Sequence, residues 1–76
     1  MEIKVLGPGC ANCVRLEKNV EEALKNLGMK ATVSKVTDPM DIISFGVMST
    51  PGLVVDNKVV SYGRVLTPAE IEEKIN

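Results

Sequence analysis

The hydrophobic rhythm of this chain changes once near its start, and the change falls on its only two cysteines. Glu2-Ile3-Lys4-Val5-Leu6 follows the period of two that a half-buried strand requires. Gly7-Pro8-Gly9 breaks that pattern ahead of Cys10-Ala11-Asn12-Cys13. From there Cys13, Leu16, Val20, Ala23, Leu24 and Leu27 recur with a period of about 3.6 residues, one apolar stripe along a helix. A strand followed by such a helix is the first half of a crossover. The next strand should therefore lie parallel to the first, with a right-handed connection.

The rest of the chain extends this start. Arg15, Glu17, Lys18, Glu21, Glu22, Lys25 and Asn26 form the polar face of the helix, and Gly28 supplies its stop. Residues 30 to 36 alternate as a second strand. Asp38-Pro39-Met40-Asp41 reads as a helix start, with Asp38 as cap and Pro39 in the first turn. Only about two turns fit before Gly46, so Met40, Ile42, Ile43 and Phe45 are expected to hold that helix by packing. Leu53-Val54-Val55 and Lys58 to Tyr62 flank Asp56-Asn57, residues that tolerate positive φ, and read as a tight β-hairpin. Thr67-Pro68-Ala69-Glu70 is a capping box, with Leu66 and Ile71 as its staple, and opens a last helix over roughly 68 to 75. The order is β-α-β-α-β-β-α in a single α/β domain spanning residues 1–76.

Composition narrows the chemistry. With 76 residues, no Trp, one Phe and one Tyr, the core must come from eleven Val, five Ile and six Leu together with Met and Ala, a β-branched excess that favours a sheet. Because the chain has no histidine, Cys-His and Ser-His nucleophiles and imidazole ligands are excluded. A net charge of −1 with interspersed signs offers no footprint for nucleic acid. No apolar run approaches the ~20 residues needed to span a bilayer, and the N-terminus enters a strand pattern without a signal-peptide core. The expectation is a soluble, cytoplasmic monomer.

Two cysteines three positions apart close too short a loop to staple a fold, so the pair calls for a chemical explanation. At a helix N-terminus, unpaired N–H groups and the helix dipole favour a thiolate. Cys10 as the cap would then be the nucleophile. Cys13, one turn in and on the apolar stripe, would resolve the mixed disulfide and leave a Cys10–Cys13 disulfide. The plainer alternative is two structural cysteines at a helix start.

The Cys-X-X-Cys between the first strand and helix, Thr50-Pro51 ahead of the third strand, the hairpin, Gly63 after it and the closing helix together resemble the thioredoxin and glutaredoxin superfamily. More narrowly, Gly7 to Cys13, Gly46 to Gly52 and Gly63-Arg64-Val65 resemble its small archaeal-type and bacterial redox-active disulfide proteins. The resemblance implies a thioredoxin-like fold: a four-stranded mixed sheet of order 2-1-3-4 with three helices on its faces. It implies thiol-disulfide oxidoreductase activity without a cofactor or metal. Protein or small-molecule disulfides would be the substrates, and a reductase or low-molecular-weight thiol the electron donor. Gly9, Ala11 and Asn12 would form the motif loop. Pro51 would be a cis-proline facing the disulfide, Thr50 would offer its backbone to a bound chain, and Gly63 would let substrate approach.

Departures from the family pattern are specific. Gly9 stands where thioredoxins carry Trp, and Ala11-Asn12 where they carry Gly-Pro; the glutaredoxin Pro-Tyr pair and Gly-Gly-Asp region are absent. An ungapped comparison puts Lys4 at the buried carboxylate that takes the resolving cysteine's proton. Lys4 would either stabilise a thiolate or reach to water. The rival reading is a soft-metal chaperone domain holding Cu(I) on the same two thiolates. Against it stand Pro8 where that family places Met, the Asp-Pro helix start and the Thr-Pro pair. A four-ligand zinc site would need a dimer. The methionines at 1, 29, 40 and 48 read as core or terminus, with Met48 placed to touch substrate. Arg15 and Arg64 read as solvated charges.

Overall fold

The computed structural model describes residues 1–75; Asn76, the last residue of the expected domain, lies outside the described residues. The elements are β1 (Glu2–Leu6), α1 (Ala11–Leu27), β2 (Thr32–Val36), α2 (Pro39–Ser44), β3 (Gly52–Val55), β4 (Lys58–Tyr62) and α3 (Pro68–Ile75). They build one four-stranded sheet in the order β2-β1-β3-β4, with β1 parallel to β2 and the other pairings antiparallel. This is the α/β arrangement expected from the sequence.

Local chemistry explains the boundaries. Cys10 caps α1, so the helix begins at Ala11, ahead of the apolar stripe. At its other end the Gly28 N–H bonds Lys25 O at 3.1 Å and the Met29 N–H bonds Leu24 O at 3.0 Å, which commits these amides to closing the helix. β2 accordingly starts at Thr32, two residues later than its alternation predicts. Asp38 caps α2 through a 2.9 Å bond from the Met40 N–H. Asp56 and Asn57, with φ of 49° and 67°, form the tight hairpin turn. The capping box of α3 is closed in both directions, Glu70 N–H to Thr67 Oγ1 at 3.2 Å and Thr67 N–H to Glu70 Oε1 at 3.0 Å.

Two cores of unequal size cover the two faces of the sheet. On one face Ile3, Val5, Leu53 and Val55 pack with Leu16, Val20, Ala23 and Leu24 of α1 and with Leu66, Ile71 and Ile75 around α3. Each of the Leu, Ile and Val side chains among them contributes roughly 1.5–3 kcal/mol by its burial. The other face is thinner: Leu6, Val47 and Val54 meet only Ile42 of α2 among buried residues, with Phe45 half-buried beside them. Met40 and Ile43 were expected in this packing and are not. They are 74% and 59% exposed, because a six-residue helix on a narrow cluster turns one side chain inward and the next one away. That imbalance leaves apolar surface uncovered beside the cysteines.

Candidate active site

The site begins with the cap. Cys10 is extended, with φ −67° and ψ 168°, and its Sγ accepts the Cys13 N–H at 3.3 Å while its carbonyl accepts the Val14 N–H at 3.0 Å. Both cysteines are free thiols; Cys10 is exposed, whereas Cys13 is only 5% exposed. One thiol is therefore open to a partner and the other shielded.

Their acidities divide in the same sense. Cys10 lies below the ordinary thiol value, first because the Cys13 side chain hydrogen-bonds to its sulfur, then through the N–H groups of Cys13 and Asn12. Cys13 lies above it, chiefly through burial and then because its proton is held in the bond to Cys10. Helix-terminal amides contribute, as the sequence suggests, but the partner thiol contributes more.

Gly7 is the residue that lets this pair form, and its role was not legible in the sequence beyond a break in the strand. A Cβ there would collide with the Cys13 sulfur and would stand 3.7 Å from Thr50 Cβ. The same point in space thus touches both the dithiol and the loop before β3. In that loop the Thr50–Pro51 peptide is cis, Pro51 is buried and Thr50 exposed. The Gly63 N–H bonds Pro51 O at 2.9 Å; Gly63 has φ +73°, and a Cβ on it would press on Ser49 Cβ at 3.2 Å. Gly9, Ala11 and Asn12 are exposed around Cys10. The structure therefore gathers Thr50, Pro51, Gly63 and the motif loop at one end of the sheet with both cysteines.

Lys4 does not join them. The pleat sends it to the α2 face, where its Nζ lies 3.4 Å from Glu2 and 5.4 Å from the Phe45 ring centroid. Val5, pointing the other way, borders the space beside Cys13. The ungapped placement of Lys4 against the resolving cysteine is thus corrected by a change of face. Sequence reasoning also missed an apolar groove of about 300 Å³ between α2 and the motif loop, lined by Pro8, Pro39, Ile42, Ile43, Met48 and Thr50 among others. Met48 is 88% exposed at its rim. Among the described residues no cluster of three His, Cys, Asp or Glu is arranged to hold a metal ion, and no helix is long and apolar enough to cross a membrane.

Comparison with known proteins agrees with this geometry. A family model described as thioredoxin domain matches residues 1–76. The chain is 42% identical over 73 residues to a protein named thioredoxin from Methanothermobacter thermautotrophicus, covering 96% of this chain and 95% of that protein. It is 36% identical over 73 residues to a thioredoxin from Methanocaldococcus jannaschii, covering 96% of this chain and 84% of that one.

Proposed function

The chain belongs to the thioredoxin family and is a protein disulfide oxidoreductase, and we propose that Cys10 makes the attack and Cys13 resolves it. The observation that carries this assignment is the asymmetry of the pair: an exposed sulfur of lowered pKa at the helix cap, and a buried sulfur of raised pKa one turn further in. Attack by the Cys10 thiolate on a substrate disulfide expels one substrate thiolate and forms a mixed disulfide. Cys13 then loses its proton and attacks the Cys10 sulfur, expelling the second substrate sulfur and leaving Cys10–Cys13 oxidised. Two electrons pass from the dithiol to the substrate, and no cofactor takes part.

Disulfide substrates and a reductase follow from the family. Their placement is part of the proposal. The Thr50 and Pro51 backbone holds an extended substrate segment, Gly63 leaves room for it, and the groove edged by Ile43 and Met48 receives an apolar side chain of a protein substrate. The uncharged lining of the groove favours such a chain over a small anionic disulfide. Action as a cytoplasmic monomer, with a reductase or low-molecular-weight thiol as donor, completes the reading. The soft-metal alternative gains no support from the site or from the comparisons.

The assignment is tested by equilibrating the protein in thiol/disulfide buffers of defined potential and trapping free thiols by alkylation. Both thiols should disappear in one two-electron transition, and any mixed disulfide trapped on the way should map to Cys10. Independent oxidation of the two thiols, or a mixed disulfide mapping to Cys13, would contradict these roles.

A further inference from the structure

Lys4 has no part in the dithiol, yet it is a lysine in the middle of an inner strand with its side chain only 25% exposed. In register it stands beside Ser34 on β2 and Val54 on β3, and Val54 is fully buried in the second core. Along β1 the same face carries the buried Leu6, then Lys4, then the exposed Glu2. α2 has six residues, about 9 Å of helix, so it covers the Leu6 end of this row and leaves Glu2 in solvent. Lys4 falls at the margin. A lysine suits that place, since its stem can border apolar surface while its ammonium stays near water. The ammonium has two neighbours: Glu2 Oε1 at 3.4 Å and the Phe45 ring, whose centroid is 5.4 Å away. Phe45 is the C-cap of α2, half-buried against the second core, and its N–H bonds Ile42 O at 3.2 Å. It stands between the residues that line the apolar groove, with Ile42 and Ile43 before it and Val47 and Met48 after. A displacement of the ring therefore moves both segments. A six-residue helix with one buried side chain does not hold itself, so a contact at its end decides how often the groove is formed.

We propose that Lys4 is a positioning residue for protein substrates: its ammonium on the Phe45 ring holds the end of α2 against the sheet and so keeps formed the groove that takes their apolar side chain. The inference rests on the groove being where protein substrates dock. Lys4 touches neither substrate nor sulfur. Its effect is confined to substrates large enough to reach the groove, and a small soluble disulfide, which meets Cys10 alone, is indifferent to it. The cation matters more than the length of the stem, because a ring face attracts positive charge and an apolar side chain of the same length supplies none.

The test is single-turnover oxidation of the reduced protein over a range of concentrations of a disulfide-linked protein substrate, with a small soluble disulfide in parallel. Lys4→Met, which keeps an apolar stem and loses the charge, should raise the half-saturating concentration of the protein substrate roughly threefold, the scale of one lost cation–π contact. The limiting rate and the rate with the small disulfide should stay within about 1.5-fold of wild type, a split that general loosening of the fold would not give. Lys4→Arg, which keeps a cation for the ring, should restore half-saturation to within about 1.5-fold. In a protein already carrying Ile43→Ser and Met48→Ser, Lys4→Met should add nothing, because both changes act on one groove. Unchanged half-saturation in Lys4→Met, equal change for both substrates, no recovery in Lys4→Arg, or an undiminished effect in the Ile43→Ser and Met48→Ser background would overturn the inference. Failure of the underlying reading looks different: Ile43→Ser with Met48→Ser would leave half-saturation unchanged while Lys4 is intact, and the role of Lys4 would fall with the groove.

Discussion

Cys10 and Cys13 carry the same functional group, and three positions of sequence separate a nucleophile from a resolving thiol. The difference is imposed from outside the side chains. At the cap, the sulfur of Cys10 meets the Cys13 N–H and the Cys13 thiol; inside, the sulfur of Cys13 meets Val5, Gly7 and the sheet. Because the Cys13 thiol is the largest cause of the lowered Cys10 pKa, the pair is coupled, and this coupling is measurable. In Cys13→Ala the pH midpoint for alkylation of Cys10 should rise toward the ordinary thiol value, while the remaining amide bonds still hold it below that value. An unchanged midpoint would assign the whole effect to the helix terminus. Gly7 belongs to the same scale, since no side chain larger than hydrogen fits between the strand end and the Cys13 sulfur.

Among the elements, α1 and α2 divide the work unevenly. α1 buries five of its residues, Cys13 among them, and fixes the dithiol to the larger core. α2 buries only Ile42, and its Met40 and Ile43 stay in solvent beside the exposed Met48. The short second helix therefore serves the site as the wall of a groove more than it serves the core. Substituting Ile43→Ser together with Met48→Ser should leave thermal stability nearly unchanged, as expected for exposed positions. The same pair of changes should raise KM for a disulfide-linked protein substrate roughly tenfold while leaving turnover of a small soluble disulfide unaltered. Equal effects on both substrates would mean that the groove is not where protein substrates dock.

For the molecule as a whole, what could be read in advance was what repeats or what punctuates. The stripe from Cys13 to Leu24, the Asp38 and Thr67 caps and the Asp56-Asn57 turn are local signals whose physics is complete within a few residues, and they reappear in place. Strand order came with the family resemblance. What stayed illegible depends on which face of a strand or helix an element presents to a distant partner. Lys4 and Val5 differ by one residue and by the entire thickness of the sheet. Ile42 and Ile43 are identical side chains with opposite fates, decided by how narrow the second core is. Lys35 reads as a charge on a strand; only the register that places it beside Val5 brings it to the edge of the small cleft at Cys13. In the same way Gly7 and Thr50, far apart in sequence, meet beside Cys13 because β1 pairs with β3.

The division of labour between the two sulfurs is the claim on which the rest stands, and it is tested most directly by trapping. Cys10→Ser and Cys13→Ser are each incubated, fully reduced, with a disulfide-linked protein substrate, and covalent adducts are resolved under non-reducing conditions. Cys13→Ser should accumulate a stable mixed disulfide through Cys10, and Cys10→Ser should accumulate none and reduce nothing. Adduct formation by Cys10→Ser through Cys13, or failure of both variants to form any adduct, would contradict the account.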